Sequence, residues 1–251
     1  MRDLCQPVIN NFMDIAKFYS EQNGKISFTR QQASDFAKQV ANDFNPIHDT
    51  DAKRFCVPGD LLFSVALSKI GLSRRMQVTF ADMVTEGIDL TFPQTVEGSD
   101  GDQTSSVDDD NGKTYLRIER SGETTHEAQL IQDLTQRYVE FSGQTFPHIL
   151  VPLWQQHNVM INPARPLVIY ESMSIDLDNL NVEAPELEVT ETALDVKGKR
   201  GNVTLAFCLR ANGQVVGRGE KKMVLSGLRA FDQTAVDGVV EYYNDRKQQL
   251  A

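Results

Sequence analysis

The sequence predicts an α+β fold in which a buried helix is followed by several strands, twice along the chain. The segment from Leu61 to Ile70 is apolar on almost every side, which is typical of a helix enclosed by the rest of the protein. In both halves, short segments alternate apolar with polar residues, as half-buried strands do. Asn212-Gly213 is a strong signal for a tight hairpin turn. A helix packed on a mostly antiparallel sheet is a stable layer arrangement, and two such units can share one sheet.

The composition excludes several classes of protein. With 251 residues, 40% of them hydrophobic, the chain is long enough for one large or two small domains. A formal net charge of −10 argues against general nucleic-acid binding and against docking on an anionic membrane. Cys5, Cys56 and Cys208 are too far apart for a zinc-ligand spacing, which favours a reducing compartment. The sequence has no signal-peptide pattern and no apolar run of membrane-spanning length, so a soluble cytoplasmic protein is expected.

The first half is predicted to begin with a helix over residues 8–19, which ends at the turn-forming pair Asn23-Gly24. A short strand over 26–28 leads to Thr29, a good N-cap residue. The helix that follows presents its apolar residues on one face: Ala33, Phe36, Ala37 and Val40.

The segments after the central helix alternate between strand and loop patterns. Strands are predicted over 77–80 and 87–92. Residues 94–113 combine acidic side chains with glycine and serine, which predicts a long, mobile hairpin loop. Strands over 114–119 and 124–134 are then expected to form a hairpin around Ser121-Gly122-Glu123.

The second half is predicted to be a looser copy of the first. Helical spacing is found at 138–141 and 149–159. Four strands are predicted near 166–176, 186–196, 201–210 and 214–224, and a C-terminal helix is predicted over 233–249. The chain is therefore divided into an N-terminal helix, two α+β units and a C-terminal helix, with expected boundaries at 1–23, 24–135, 136–230 and 231–251.

One segment carries specific chemistry, namely Asp43-Phe44-Asn45-Pro46-Ile47-His48. The proline pushes Asn45 toward an extended conformation, and the pair favours a turn. That turn can bring Asp43 and His48 to the same side of the loop. A carboxylate beside an imidazole can move protons, because histidine titrates near neutral pH and the carboxylate fixes its tautomer or shares the acid–base work.

This segment resembles the D-x-N-P-[LIV]-H signature of MaoC-like, (R)-specific enoyl-CoA hydratases. The resemblance covers roughly residues 25–92, and it includes the apolar helix after Gly59. It implies a hotdog fold, and the repeated pattern then implies a double hotdog. The whole chain also resembles a bacterial protein family of this length, and that resemblance implies no activity.

The resemblance to the hydratases implies roles for individual residues. Asp43 and His48 would activate a water and act as base and acid on a trans-2-enoyl thioester, carried by CoA or by an acyl-carrier protein. Substrate-binding roles would fall to Asn45, Gly59, Phe44 and Ser64, with the Gly59 N–H holding the thioester oxygen at a helix N-terminus. No cofactor or metal is implied.

The sequence departs from the hydratase pattern at three positions next to these residues. Asn42 stands where a small residue is usual, Pro58 replaces a histidine, and Asp60 replaces a hydrophobic residue. Asp60 would place a negative charge near the thioester carbonyl unless it only complements the dipole of its helix.

Several alternatives remain open. Asp43 and His48 can be a purely structural turn, and the fold can serve as an acyl-CoA-binding module or as a thioesterase that uses Asp43. The basic segment 217–222 would either meet a CoA phosphate or form an exposed strand face. Cys56 is expected to be inert packing. A homodimer is possible, because a hotdog unit leaves a sheet face and an edge to be covered.

Overall fold

The computed structural model describes residues 14–94 and 102–250. It has twelve strands, which are β1 (Ser20–Gln22), β2 (Lys25–Ser27), β3 (Leu72–Phe80), β4 (Leu90–Thr91), β5 (Gln103–Asp109), β6 (Thr114–Thr125), β7 (Val159–Met160), β8 (Val168–Leu177), β9 (Glu186–Lys197), β10 (Arg200–Ala211), β11 (Gln214–Ser226) and β12 (Arg229–Ala230). Its α-helices are α1 (Arg30–Asp35), α2 (Gly59–Ile70), α3 (Ala128–Gly143), α4 (Leu150–Gln156) and α5 (Gln233–Leu250).

Ten strands form one antiparallel sheet, in the order β1-β2-β4-β5-β6-β3-β8-β11-β10-β9. The two halves repeat one arrangement, because the first long strand after the helices of each half (β3 or β8) neighbours the last long strand of that half (β6 or β11). The halves join where β3 pairs with β8, from Arg75 opposite Asp176 to Thr79 opposite Ser172. The chain is therefore an α+β double hotdog, as predicted.

The helices cover one face of this sheet. Thr29 is the N-cap of α1, as predicted, and it forms a capping box with Gln32. Helix α2 is enclosed as its all-round apolar sequence predicts, since Leu61, Phe63 and Leu67 have no exposed surface. Within the described ranges, no helix is long and apolar enough to cross a membrane.

The opposite face of the sheet is polar. It carries an open groove of about 640 Å³, whose lining includes Arg75, Gln77, Asp176, Arg218 and Glu220. Most of the residues that line this groove are polar or charged, and Met76, Ile175 and Phe207 are exceptions. The possible homodimer stays a prediction.

Three predicted elements of the first half differ from the structure. The predicted strand over 124–134 is wrong, because Glu127 caps a helix: its Oε2 accepts the Leu130 N–H at 2.6 Å, and α3 begins at Ala128. Strand β6 is continuous through the predicted turn, and Gly122 adopts φ +78° where the β3–β6 register shifts. The positive-φ glycine thus marks a β-bulge rather than a hairpin turn. Helix α3 also crosses the predicted boundary between 135 and 136.

The predicted acidic loop over 94–113 is partly wrong, since β5 lies within it. Val107 is completely buried and supplies the apolar anchor of that strand. Asp109 forms the following turn, where its Oδ1 accepts the N–H groups of Asn111 and Lys113, both at 2.9 Å. Residues 95–101 lie outside the described residues.

The N-terminal segment also differs from its prediction. Residues 8–13 of the predicted helix 8–19 lie outside the described residues, and Ile15–Phe18 forms a single 3-10 turn. Asn23-Gly24 does form the predicted turn, with φ values of 54° and 75°, and it joins β1 to β2. The predicted strand over 87–92 shortens to β4.

Candidate functional site

The Asp43–His48 loop is positioned by an unusual end to the preceding helix. After α1, Phe36–Val40 continues as a π-helix, and the Ala41 N–H donates to the Phe36 carbonyl at 3.1 Å. Asn42 follows with φ +52°, a left-handed conformation that asparagine tolerates better than most residues. The departure from the small residue usual here is therefore conformationally compatible. The Asp43 N–H then donates to the Ala37 carbonyl at 2.8 Å, which fixes the start of the loop.

Asp43 and His48 face each other, as the spacing predicts. Asp43 Oδ2 lies 3.7 Å from His48 Nε2, and the two side chains are 26% and 12% exposed. This separation is too long for a direct hydrogen bond, but one water can bridge it. The pair is thus buried enough to be held in place and open enough to meet a ligand.

Backbone groups fix the orientation of both side chains. His48 Nδ1 lies 2.7 Å from the Cys56 carbonyl oxygen, which can only accept a hydrogen bond. Nδ1 therefore carries a proton, and in neutral His48 the lone pair of Nε2 faces Asp43. Asp43 Oδ1 accepts the Asn45 N–H at 2.9 Å, which leaves Oδ2 directed toward the imidazole.

The C-terminal helix α5 holds this loop from outside. The Tyr243 hydroxyl accepts the Phe44 N–H at 3.3 Å and donates to the Asn42 carbonyl at 3.4 Å, on either side of Asp43. Burial, and then the nearby Asp43 carboxylate, raise the pKa of Tyr243 to about 12. The following turn is anchored by Asp49, whose buried carboxylate pairs with Lys38 at 2.7 Å and with Arg246 of α5.

Tyr243→Phe is expected to destabilise the protein by about 1 kcal/mol, because the Phe44 N–H and the Asn42 carbonyl lose their partner. The measurement is the free energy of unfolding in urea. Since its folded pKa is raised, wild-type Tyr243 contributes stability below pH 10 that is lost as the pH rises from about 10 to 12. The variant should lack this part of the pH dependence. Tyr242→Phe, at a neighbouring position that is 53% exposed, is the control, and an equal loss in both variants would contradict the prediction.

A second polar group lies at the N-terminus of α2. Asp60, in its first turn, is buried, and its Oδ2 accepts the Ser142 hydroxyl of α3 at 2.5 Å. Lys221 of β11 donates to the same hydroxyl oxygen. Asp60 is therefore linked to the second half of the chain, while it keeps a position in the first turn of α2 that suits the helix dipole.

Burial and ion pairing shift the pKa values of Asp60 and Lys221 in opposite directions. The pKa of Asp60 is raised, because burial outweighs the Lys221 ammonium and the Ser142 hydroxyl, which lower it. The pKa of Lys221 is lowered, because burial outweighs Asp60 and then Asp43, which raise it. These electrostatic interactions join Asp60 and Lys221 to the Asp43–His48 pair.

The exposed-strand interpretation of residues 217–222 was wrong for Lys221, which is 4% exposed. Strand alternation turns Arg218 and Lys222 outward and Lys221 inward, in the same parity as the buried Met223 and Leu225. That parity was the available sequence signal, because it places a lysine in an otherwise buried row.

The remaining predicted site residues lie in different environments. Phe44 is 1% exposed and packs edge-on against Tyr243, with ring centroids 6.2 Å apart. Asn45 Oδ1 accepts the Ile47 N–H of its own turn at 3.2 Å. The Ser64 hydroxyl donates to the Asp60 carbonyl within α2 at 2.6 Å. None of these three contacts is with the Asp43–His48 pair.

Gly59 is the first residue of α2 and lies in a crowded position. A Cβ atom there would be 2.9 Å from Tyr170 Cδ1 and 3.0 Å from Phe80 Cε1, so only glycine fits without displacement. Burial raises the pKa of the Cys56 thiol to about 12, which fits its expected inert role. The described residues contain no group of three or more His, Cys, Asp or Glu side chains suited to a metal ion.

Comparison with known proteins identifies the family. The matching family model is described as Protein of unknown function (DUF3581), and it covers residues 13–234. The chain belongs to this family. No curated protein matches the sequence of this DUF3581 member.

Similar solved structures of low sequence identity are also found for this DUF3581 protein. A hotdog-fold protein of unknown function from Alicyclobacillus acidocaldarius has a TM-score of 0.44 at 8% identity, over 87% of this chain and 98% of that one. A MaoC-like dehydratase has a TM-score of 0.40 at 10% identity, over 83% and 97%. An acyl-CoA thioesterase II from Mycobacterium marinum has a TM-score of 0.40 at 9% identity, over 70% and 90%.

Proposed function

We propose that the protein is a hydratase or dehydratase of an acyl thioester, which adds water to a trans-2-enoyl thioester or removes it in reverse. The observation that carries the proposal is the pair of Asp43 Oδ2 and His48 Nε2, which are 3.7 Å apart and aimed at each other. A water between them would donate a hydrogen bond to each. The resemblance of the Asp43–His48 segment to the hydratase signature supports the same chemistry.

The reaction can be written with these groups alone. Asp43 accepts a proton from the bound water as the water oxygen forms a bond to C3 of the substrate. The electron pair of the C2–C3 double bond moves toward the thioester, whose oxygen gains negative charge. The proton held by the Asp43–His48 pair is then delivered to C2. One water is consumed, and the reverse sequence releases it.

The N-terminus of α2 is the proposed position for the thioester oxygen. The first N–H groups of a helix have no partner within the helix, and the helix dipole favours negative charge there. Gly59 is the first residue of that turn. The proposed substrates are acyl-CoA or acyl-carrier thioesters, and the proposed steps need no cofactor or metal.

The test is an assay of the wild-type protein with trans-crotonyl-CoA and with a longer trans-2-enoyl-CoA. Hydration is expected as a loss of enoyl absorbance without release of free thiol. Release of free thiol would indicate a thioesterase instead. Thermal stabilisation by the thioester without turnover would indicate a binding module, and either of these results would overturn the hydratase proposal.

A further inference from the structure

Asp60 creates an electrostatic problem for the proposed reaction. Its carboxylate is in the first turn of α2, beside the N–H groups proposed to receive the negative charge of the thioester oxygen. A second negative charge there opposes an oxyanion, and this effect is strong where water is excluded. When Asp60 is ionised, activity at this site therefore needs a group that balances its charge.

The second half of the chain supplies that group. Ser142 donates to Asp60 Oδ2 at 2.5 Å, while Lys221 donates to the Ser142 hydroxyl oxygen and lies 3.5 Å from the Ser142 carbonyl. An ammonium that donates to the hydroxyl, and a hydroxyl that donates to the carboxylate, would satisfy an ionised lysine and an ionised acid through these two contacts. The ammonium and the carboxylate thus compensate each other through one hydroxyl.

The same lysine is linked structurally to Gly59. The Lys221 ammonium lies 4.5 Å from the centroid of the Tyr170 ring. The Tyr170 ring packs against Gly59 where a Cβ atom of that residue would lie. The Tyr170 hydroxyl contacts the Tyr138 hydroxyl. Lys221 therefore lies in one packed group with both the first residue of α2 and Asp60.

We propose that Lys221 is a positioning residue of the Asp43–His48 site, which holds and balances Asp60 through Ser142 so that the N-terminus of α2 can stabilise the thioester oxyanion. This inference rests on the proposed hydratase function. It makes the site composite, because Asp60 comes from the first half of the chain and Ser142 and Lys221 come from the second. Among the described residues, titratable side chains near this ion pair include Asp43, His48, Tyr138 and Tyr170.

The test compares Lys221→Met with the double variant Lys221→Met/Asp60→Asn in the crotonyl-CoA assay. Lys221→Met leaves Asp60 unbalanced, so kcat should fall by about 10²-fold, the scale of losing one oxyanion donor. KM should change little, because the unfavourable charge acts on the transition state. The double variant removes both charges and should recover kcat to within about ten-fold of wild type, since a paired deletion leaves no uncompensated buried charge.

Lys197→Met is the control, because that side chain at the end of β9 is exposed and pairs with Asp195 at 3.0 Å. All kcat values are taken per folded molecule, as measured by circular dichroism. A purely structural lysine would lower the amount of folded protein and leave kcat unchanged, and that result overturns the inference.

The two proposals fail in distinguishable ways. Wild-type turnover with an unaffected Lys221→Met variant overturns this inference alone, whereas no turnover in folded wild type overturns the hydratase proposal together with it. If Lys221→Met does not fold, the double variant decides, and a kcat more than about ten-fold below wild type in that variant overturns the inference.

Discussion

Asp43→Asn is expected to lower kcat for hydration of trans-crotonyl-CoA by about 10²- to 10⁴-fold, the usual contribution of a positioned acid–base group. The amide cannot accept the proton of the attacking water. The loop itself should persist, because the amide oxygen can replace Asp43 Oδ1 as the acceptor of the Asn45 N–H. Folding and activity should therefore separate cleanly in this variant.

His48→Asn should give a loss of similar size, because it removes the nitrogen that faces Asp43. The matched control is Asp51→Asn, an exposed carboxylate of the same loop, which should keep wild-type turnover. Circular dichroism and the unfolding midpoint verify that each variant is folded. If Asp43→Asn keeps the wild-type kcat, Asp43 and His48 form a purely structural turn and do not catalyse hydration.

The Asp43–His48 pair was predictable because it depends on local sequence. The Asn45-Pro46 turn lies between the two residues, and it brings their side chains to the same side of the loop. The long strands of the second half were predictable for the same reason, since strand alternation and the Asn212-Gly213 turn are local signals. The order of the central helix and its strands then defines the double hotdog.

The supports of the site were not predictable, because they come from distant parts of the chain. Tyr243 reaches the backbone of Asn42 and Phe44 from almost 200 residues away, with a sequence separation of 199 to Phe44. Strand parity signals the burial of Lys221, but not its contact with Ser142 of α3, because the two residues are 79 apart in the sequence. The turn predicted around Gly122 was wrong although its positive φ is observed, because a positive φ fits both a turn and a β-bulge.

Gly143→Ala is expected to destabilise the protein by about 3 kcal/mol, at the upper end of overpacking costs. A methyl group at Gly143 would lie far inside contact distance of the Ala41 carbonyl oxygen, which is backbone and cannot rotate away. The end of α3 would have to move from Ala41, just before Asp43. In a chain of this size the midpoint of thermal unfolding should fall by about 6–12 °C.

The same movement should lower activity, because Ser142 precedes Gly143 and holds Asp60, while Ala41 leads into Asn42 and Asp43. Gly238→Ala in α5 is the matched control, since a Cβ atom there meets nothing within 4 Å. Alanine at that helical position should stabilise the protein by up to about 1 kcal/mol, through its higher helix propensity. If the midpoint of thermal unfolding falls in Gly143→Ala and rises in Gly238→Ala, the contact of α3 with Ala41, rather than glycine flexibility, holds the two halves of the site together. A Gly143→Ala variant as stable as wild type would contradict that close contact.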